Sequence, residues 1–245
     1  MRFKVINLAR TPDRLYKFKK NNPHFAFERF NAVDGKNIDR SDLVKQNLAT
    51  VACARRYTDG AIGVALSHRQ LWQECAHSGQ NYTILEDDVC LVPNFNNLVA
   101  NHSGGVWDFI FWGANFDQRL IVELCPGIAA AEIKFNFDGI VANMDLIKQQ
   151  SLQPKLFRTH WAVGLCCYTI TPKTAKYLLD VIFPLRDYFE WRDNYGVDNS
   201  VIEELGNMNA AVSLPPIALT LNDRYNSTVQ VHNYGLEIKT IDDKL

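Results

Sequence analysis

Three carboxylates stand side by side at Glu86, Asp87 and Asp88, directly after the apolar run Tyr82-Thr83-Ile84-Leu85. A short β-favouring run of this kind reads as a buried strand, which sets the acids at its carboxyl end. Adjacent carboxylates repel one another, and burying them without a partner is costly. A divalent cation is the simplest neutraliser, and an all-oxygen donor set suits Mg²⁺, Mn²⁺ or Ca²⁺ rather than Zn²⁺. Ligands of open α/β sheets bind at strand carboxyl ends. The expectation is therefore a metal held at Glu86–Asp88 that also grips a diphosphate. The alternative, for an isolated Glu-Asp-Asp, is a solvated acidic turn.

Other residue types able to do chemistry gather around similar strand ends. Asn7, Arg10 and Arg14 fall at or just past the end of a strand read over Phe3–Leu8. There an amide and two guanidinium groups suit a nucleotide, although helix-surface arginine is the plainer reading. Asp34, in Ala32-Val33-Asp34-Gly35, could accept a bond from a ribose hydroxyl or could simply shape a tight turn. Asp198 precedes a helical stretch, Asn199–Leu205, either as its N-cap or as an acid facing a cleft. The aromatic and charged segment Phe183–Tyr195 could line a sugar site or form a capping loop. His68 lies on a helix, where a histidine is ordinarily packed or at the surface.

The elements that must position these groups follow from periodicity. Thr11-Pro12 reads as an N-cap and first helical residue of a helix to about Lys20. Asn21–His24 reads as a turn, Phe25–Phe30 as the second strand, and Ser41 or Asp42 as the cap of a short helix through Leu48. Thr50–Asp59 looks irregular. From Ala61 to about His77, Ile62, Leu66, Leu71, Trp72 and Cys75 form one apolar helical face, with Gly60 and Gly63 permitting close approach of the backbone to a neighbour or a ligand.

A helix followed by a strand ending in acids is the rhythm of a doubly wound α/β sheet. Phe109–Trp112 and Leu165–Ile170 read as further strands, Leu120–Leu124 with Ala131–Phe137 as a hairpin or insert, and Met144–Gln150 as a short helix. Thr171-Pro172 opens a helix through Val181, Asn209–Leu214 and Pro216–Thr220 resemble late strands, Asn222–Tyr234 reads as a polar loop, and Lys239–Leu245 as a frayed tail.

Composition narrows the classes. The chain has 245 residues, is 47% hydrophobic and carries a net charge of −1, which suits one domain with one sizeable core. Near-neutral charge without a basic run argues against a nucleic-acid binder. No apolar run approaches the length of a bilayer span, and Met1–Leu8 reads as a strand, not a signal peptide. The six cysteines show no zinc-like pairing and suit a reduced, cytoplasmic setting with at most peripheral membrane contact. The sequons at Asn81, Asn101 and Asn226 would matter only in a secretory context.

Several stretches together resemble glycosyltransferase family 25, which includes lipooligosaccharide and collagen galactosyltransferases. They are Val5-Ile-Asn-Leu-Ala-Arg-Thr-Pro-Asp-Arg14, Phe27-Glu-Arg-Phe-Asn-Ala-Val-Asp-Gly35 and Gly63-Val-Ala-Leu-Ser-His-Arg-Gln-Leu-Trp72. Ile84-Leu-Glu-Asp-Asp-Val89, Cys167 to Leu179 and Val197-Asp198 complete the ordered set. The resemblance runs from residue 3 to about 230 and is poor over Gly104–Arg158. It implies a GT-A fold, a Rossmann-like, mixed and mostly parallel sheet flanked by helices. In a single domain of 1–245, donor binding would fall at about 1–115 and acceptor binding at about 116–235.

It also implies a UDP-hexose donor (most simply UDP-galactose), Mn²⁺ or Mg²⁺, inversion at the anomeric carbon, and a lipooligosaccharide-type glycan or glycolipid acceptor met at the inner face of the bacterial inner membrane. Glu86 and Asp88 become metal ligands in a DxD-like motif with Glu86 in place of the leading Asp. Asn7, Leu8, Arg10, Arg14, Asp34, Gly35, His68 and Asp87 become donor-side residues. His232 is a candidate late metal ligand, Ser227 a diphosphate contact, and Asp198 the base, with Asp187, Glu190 and Asp193 as rivals. UDP-glucose or another nucleotide sugar, a metal-dependent phosphodiesterase, and a binding module without turnover are the competing readings.

Overall fold

The computed structural model describes residues 1–103, 105–186 and 196–220. The chain opens with β1 (Arg2–Asn7), α1 (Pro12–Asn21) and β2 (Glu28–Asn31). A single 3₁₀ turn (Gly35–Asn37) then leads into α2 (Arg40–Lys45), α3 (Val51–Arg56) and the long α4 (Asp59–Ser78). β3 (Tyr82–Glu86), β4 (Val89–Leu91), α5 (Phe95–His102) and β5 (Phe109–Gly113) follow. Next come the hairpin β6 (Arg119–Cys125) and β7 (Ala129–Lys134), the short α6 (Phe137–Ala142) and α7 (Met144–Gln149), and β8 (Lys155–Trp161). β9 (Cys167–Ile170), α8 (Pro172–Ile182), α9 (Val197–Glu203), β10 (Ala210–Leu214) and β11 (Ala218–Thr220) complete the described chain.

The main sheet has the order β2-β1-β3-β9-β5-β10-β8-β6-β7, and β11 and β4 form a separate antiparallel ribbon. β1, β2 and β3 are mutually parallel, as are β5 and β10, while β9 runs against both of its neighbours. The sheet is thus mixed, with helices on both faces, as an α/β glycosyltransferase-like fold requires. Among the described residues no helix is long and apolar enough to cross a membrane.

Strand periodicity divides the core into two layers. Tyr82 and Ile84 of β3 face α4 and α8, packing with Ile62, Leu71, Trp72 and Leu178. Val5 and Leu85 face the opposite way, toward Phe18 of α1 and Phe95 and Val99 of α5. α4 is fixed at both ends by its own sequence. The Thr58 hydroxyl caps it by accepting from the Ala61 amide at 3.0 Å, worth about 1 kcal/mol, and Gly79 ends it in the left-handed region at φ 66°.

Most expected elements form, with local differences. The second strand starts at Glu28, not Phe25, because Phe25 and Phe27 turn inward onto Phe18 in an aromatic cluster. The cap of α2 is Asp39 rather than Ser41 or Asp42, its carboxylate accepting from the Ser41 amide at 2.8 Å. The segment read as irregular contains α3, capped by Thr50. α6 and β8 had no sequence signal, since Lys155, Arg158 and His160 break the apolar pattern of β8. Five of the six cysteines are buried, Cys125 is exposed, and all are free.

Candidate active site

The site is assembled by the parallel pairing of β1 with β3, whose register sets Val5 opposite Leu85 and Ile6 opposite Glu86. The next residues along, Asn7 and Asp87, therefore meet past the strand ends. The Asn7 amide donates to Asp87 Oδ2 at 2.6 Å. Arg14, from the opening turn of α1, donates Nε to Asp87 Oδ1 at 2.8 Å, and its Nη2 lies 2.5 Å from the same oxygen and 3.5 Å from Asp88 Oδ2. Arg29 donates to Asn7 Oδ1 at 3.0 Å, which orients the amide. Asp87 is buried with both oxygens engaged, so it ties the two strands and α1 together.

Successive side chains of a strand point to opposite faces. Asp87 is drawn to the α1 face by Asn7 and Arg14, while Glu86 lies on the α4 face of Ile84. Burial first, then the Asp88 charge, push the Glu86 carboxyl up to about 8 against the opposing pull of Arg14, with smaller contributions from Asp87 and Asp198. Asp198, in the opening turn of α9, is thus close enough for its charge to act on Glu86. Its Oδ1 accepts from the Asn199 amide at 3.0 Å, but the N-cap position belongs to Gly196, two residues before Asp198. The expected capping role of Asp198 is therefore corrected. An acid at the helix start needs no cap geometry to face the site, since the positive end of the helix favours it there.

Asp88 occupies the corner between β3 and β4. That corner is held by a residue that sequence reasoning had assigned to a plain turn. Asn22, following α1, donates Nδ2 to the Val89 carbonyl at 2.9 Å and accepts from the Leu91 amide at 2.8 Å. Its side-chain amide thus mimics a neighbouring strand, and nothing in the local sequence signals that role.

The remaining donor-side residues are distributed as follows. Arg10 donates to Asp34 at 2.6 Å, and this bond holds the Asp34 carboxyl below its ordinary range. Asp34 also caps the 3₁₀ turn by accepting from the Lys36 amide at 3.2 Å. The Leu8 carbonyl accepts from the Thr11 amide and hydroxyl, turning the chain into α1. Gly35 is buried against α4, where a Cβ would lie 1.8 Å from the Asp59 carbonyl oxygen, and one on Gly63 would lie 2.6 Å from that of Val33. Ser67 clamps this contact, accepting from the Val33 amide at 2.9 Å and donating to the Gly63 carbonyl at 2.7 Å.

His68 is fully enclosed, its Nδ1 2.7 Å from the Tyr168 hydroxyl. The Trp72 indole donates to the same hydroxyl at 2.8 Å, which leaves the tyrosine proton for His68. Burial pushes the imidazole down to about 3, so it stays neutral. Ser227, His232, Asp187, Glu190 and Asp193 lie outside the described residues.

The donor set suits a hard divalent cation in kind: all-oxygen and anionic, with the Arg14 guanidinium shared between Asp87 and Asp88. Among the described residues, no three His, Cys, Asp or Glu side chains converge as a complete cage. Glu86 and Asp88 would hold such an ion from one side, with the other positions left to phosphate oxygens and water.

Comparison with known proteins matches these features to one group. The chain matches the sequence model of glycosyltransferase family 25 (LPS biosynthesis protein) over residues 1–198. An Acanthamoeba polyphaga mimivirus protein carried under a glycosyltransferase name is 26% identical over 189 residues, covering 72% of this chain and 51% of that protein. A glycosyltransferase 25 family member of Aedes aegypti is 33% identical over 44% of this chain and 20% of its own. The inactive glycosyltransferase 25 family member 3 of Mus musculus is 27% identical over 52% of this chain and 24% of its own. The chain spans about half the length of the first of these relatives and a quarter or less of the other two. A family match that runs from β1 through the carboxylate corner to Asp198 assigns the chain: it belongs to glycosyltransferase family 25.

Proposed function

We propose that the protein is an inverting, metal-dependent hexosyltransferase that moves galactose from UDP-galactose to a hydroxyl of a lipooligosaccharide-type glycan. The supporting observation is the excess of negative charge where β1 and β3 end. Glu86, Asp88 and Asp198 share one neighbourhood, and the Arg14 guanidinium there also serves Asp87. A cation bound at Glu86 and Asp88 would offset the charge that develops on the leaving diphosphate.

The chain's own residues do the rest. Asn7 and Arg14 hold Asp87 and so fix the corner that carries Asp88. Arg10 and Asp34, at the neighbouring strand ends, suit the nucleoside. In the single displacement, the acceptor oxygen bonds to the anomeric carbon as the carbon–oxygen bond to the diphosphate breaks. The acceptor's proton passes to the Asp198 carboxylate. Residues 116 onward, with the insert between β6 and α7, suit the acceptor side.

Incubation with Mn²⁺ and a panel of UDP-sugars tests the reading. One sugar nucleotide, UDP-galactose, is expected to be hydrolysed slowly without acceptor and faster with a galactosyl-accepting glycan. Cleavage of simple phosphodiesters would instead indicate a phosphodiesterase, and binding without turnover would align the chain with the relative named as inactive.

A pH effect follows from Glu86. A carboxyl raised in the folded protein holds its proton between its unfolded value and about 8, so the metal-free protein loses stability as pH rises across that window. A cation must displace the same proton. The rise in melting temperature caused by saturating Mn²⁺ is therefore expected to be larger at pH 8.5 than at pH 6, as read by differential scanning fluorimetry. An equal rise at both pH values would detach Glu86 from the ion.

A further inference from the structure

α1 carries Arg14 into the site, and its next turns border a crevice. Leu15 and Lys19 of α1, with Phe25, Ala26, Phe27 and Arg29, enclose about 370 Å³. That volume lies in the range of small-ligand sites. The floor is apolar. Phe25 and Phe27 stack with ring centres 5.8 Å apart, each packed on Phe18 and left half-buried.

Two cations rim this floor. Arg29 donates Nε to Oδ1 of the buried Asn7 at 3.0 Å, which orients its guanidinium. Its two Nη atoms meet no hydrogen-bond or ion-pair partner among the described residues, and Lys19 makes no ion pair there. The adjacent acid, Glu28, belongs to the other face of β2, where Lys4 holds it at 2.8 Å. An apolar floor beneath two uncompensated cations suits a ligand with an anionic head and an apolar body, since a guanidinium fork and an ammonium both favour phosphate oxygens.

The choice between a dissolved molecule and a lipid surface rests on residues outside the crevice. Tyr16, which is 70% exposed, and the exposed Lys20 lie one helical turn apart on the adjoining strip of α1. A ligand confined to the crevice leaves both untouched. A plane of head groups meets both, because tyrosine settles at head-group level and lysine is drawn to anionic lipid. The same helix carries Lys17, Lys19 and Lys20 against Asp13 alone beyond the committed Arg14, in a chain of net charge −1. We propose that the crevice and this strip of α1 dock the protein on an anionic bilayer, with one lipid phosphate on Arg29 and Lys19 and its acyl chain against Phe25 and Phe27. The docking surface does not depend on the transferase reading.

Co-sedimentation with vesicles tests this, comparing phosphatidylcholine alone with phosphatidylcholine mixed with phosphatidylglycerol. Wild-type protein is expected to bind the mixed vesicles about tenfold or more tightly, less so as salt rises. Lys19→Gln combined with Arg29→Gln is expected to lose about tenfold or more of that binding. Lys155→Gln combined with Lys173→Gln removes the same charge elsewhere and is expected to stay within about twofold of wild type. Lys19→Glu alone, at an exposed position that leaves the Arg29–Asn7 bond in place, is expected to lose about tenfold, and it decides the matter if the first double variant melts below wild type. Wild-type protein that ignores the mixed vesicles overturns the proposal, whether or not it takes up inorganic phosphate. An equal loss in the two double variants also overturns it, since that pattern belongs to diffuse attraction.

Discussion

Asp88→Ala is expected to lower transfer by about a thousand-fold while the protein stays folded. That corresponds to roughly 4 kcal/mol of stabilisation of the leaving phosphate charge. The fold should survive because Asp88 sits at a corner, partly exposed, whereas the ties between β1, β3 and α1 run through Asp87. Removing Asp88 also removes the largest charge pressing on Glu86, so the metal-free variant should melt no lower than wild type. Rates with and without EDTA, alongside thermal melts, check both halves. Full transfer by Asp88→Ala with EDTA present would remove the metal from the mechanism.

The second large effect concerns turnover without binding. Asp198→Asn keeps a side-chain oxygen able to accept from the Asn199 amide, so the start of α9 should persist. It cannot take a proton from the acceptor hydroxyl. The variant is expected to bind UDP within about twofold of wild type and to lose kcat by roughly a hundred- to ten-thousand-fold, the usual worth of a positioned base. Single-turnover rates at saturating donor separate this from a binding defect. Near-normal kcat would move the base to another acid, with Asp187, Glu190 and Asp193 as the next to substitute.

What could be read from the chain alone depended on how local the cause was. α4 was legible because Ile62, Leu66, Leu71, Trp72 and Cys75 repeat at helical spacing and all five are buried. β3 was legible because its apolar run is short and ends in charge. The antiparallel course of β9 was not, since Cys167–Ile170 carries the same residue types whichever way the strand runs.

The acids show the same division. Their position at a strand end followed from sequence. Their separation, with Asp87 drawn to one face by Asn7 and Arg14 and Glu86 left on the other, needed the register of β1 against β3. The period-two alternation of a strand was the available signal for it. Asn22 had no such signal: its partners, Val89 and Leu91, are 67 and 69 positions away in sequence. Gly63 was recognised as a site of close approach, but that Gly35 is what approaches it appears only in the folded chain.

The ribbon of β4 with β11 has one more consequence. Val89 pairs with Thr220 and Leu91 with Ala218, so the strand that follows the acids gains its backbone partner only after well over a hundred further residues have been synthesised. Until then the corner is held by the Asn22 amide and by the Asn7 and Arg14 bonds to Asp87, without its ribbon partner. A nascent or prematurely terminated product lacking Ala218–Thr220 would carry all three acids without the scaffold that aims them. The corner is complete only once Ala218–Thr220 have been made.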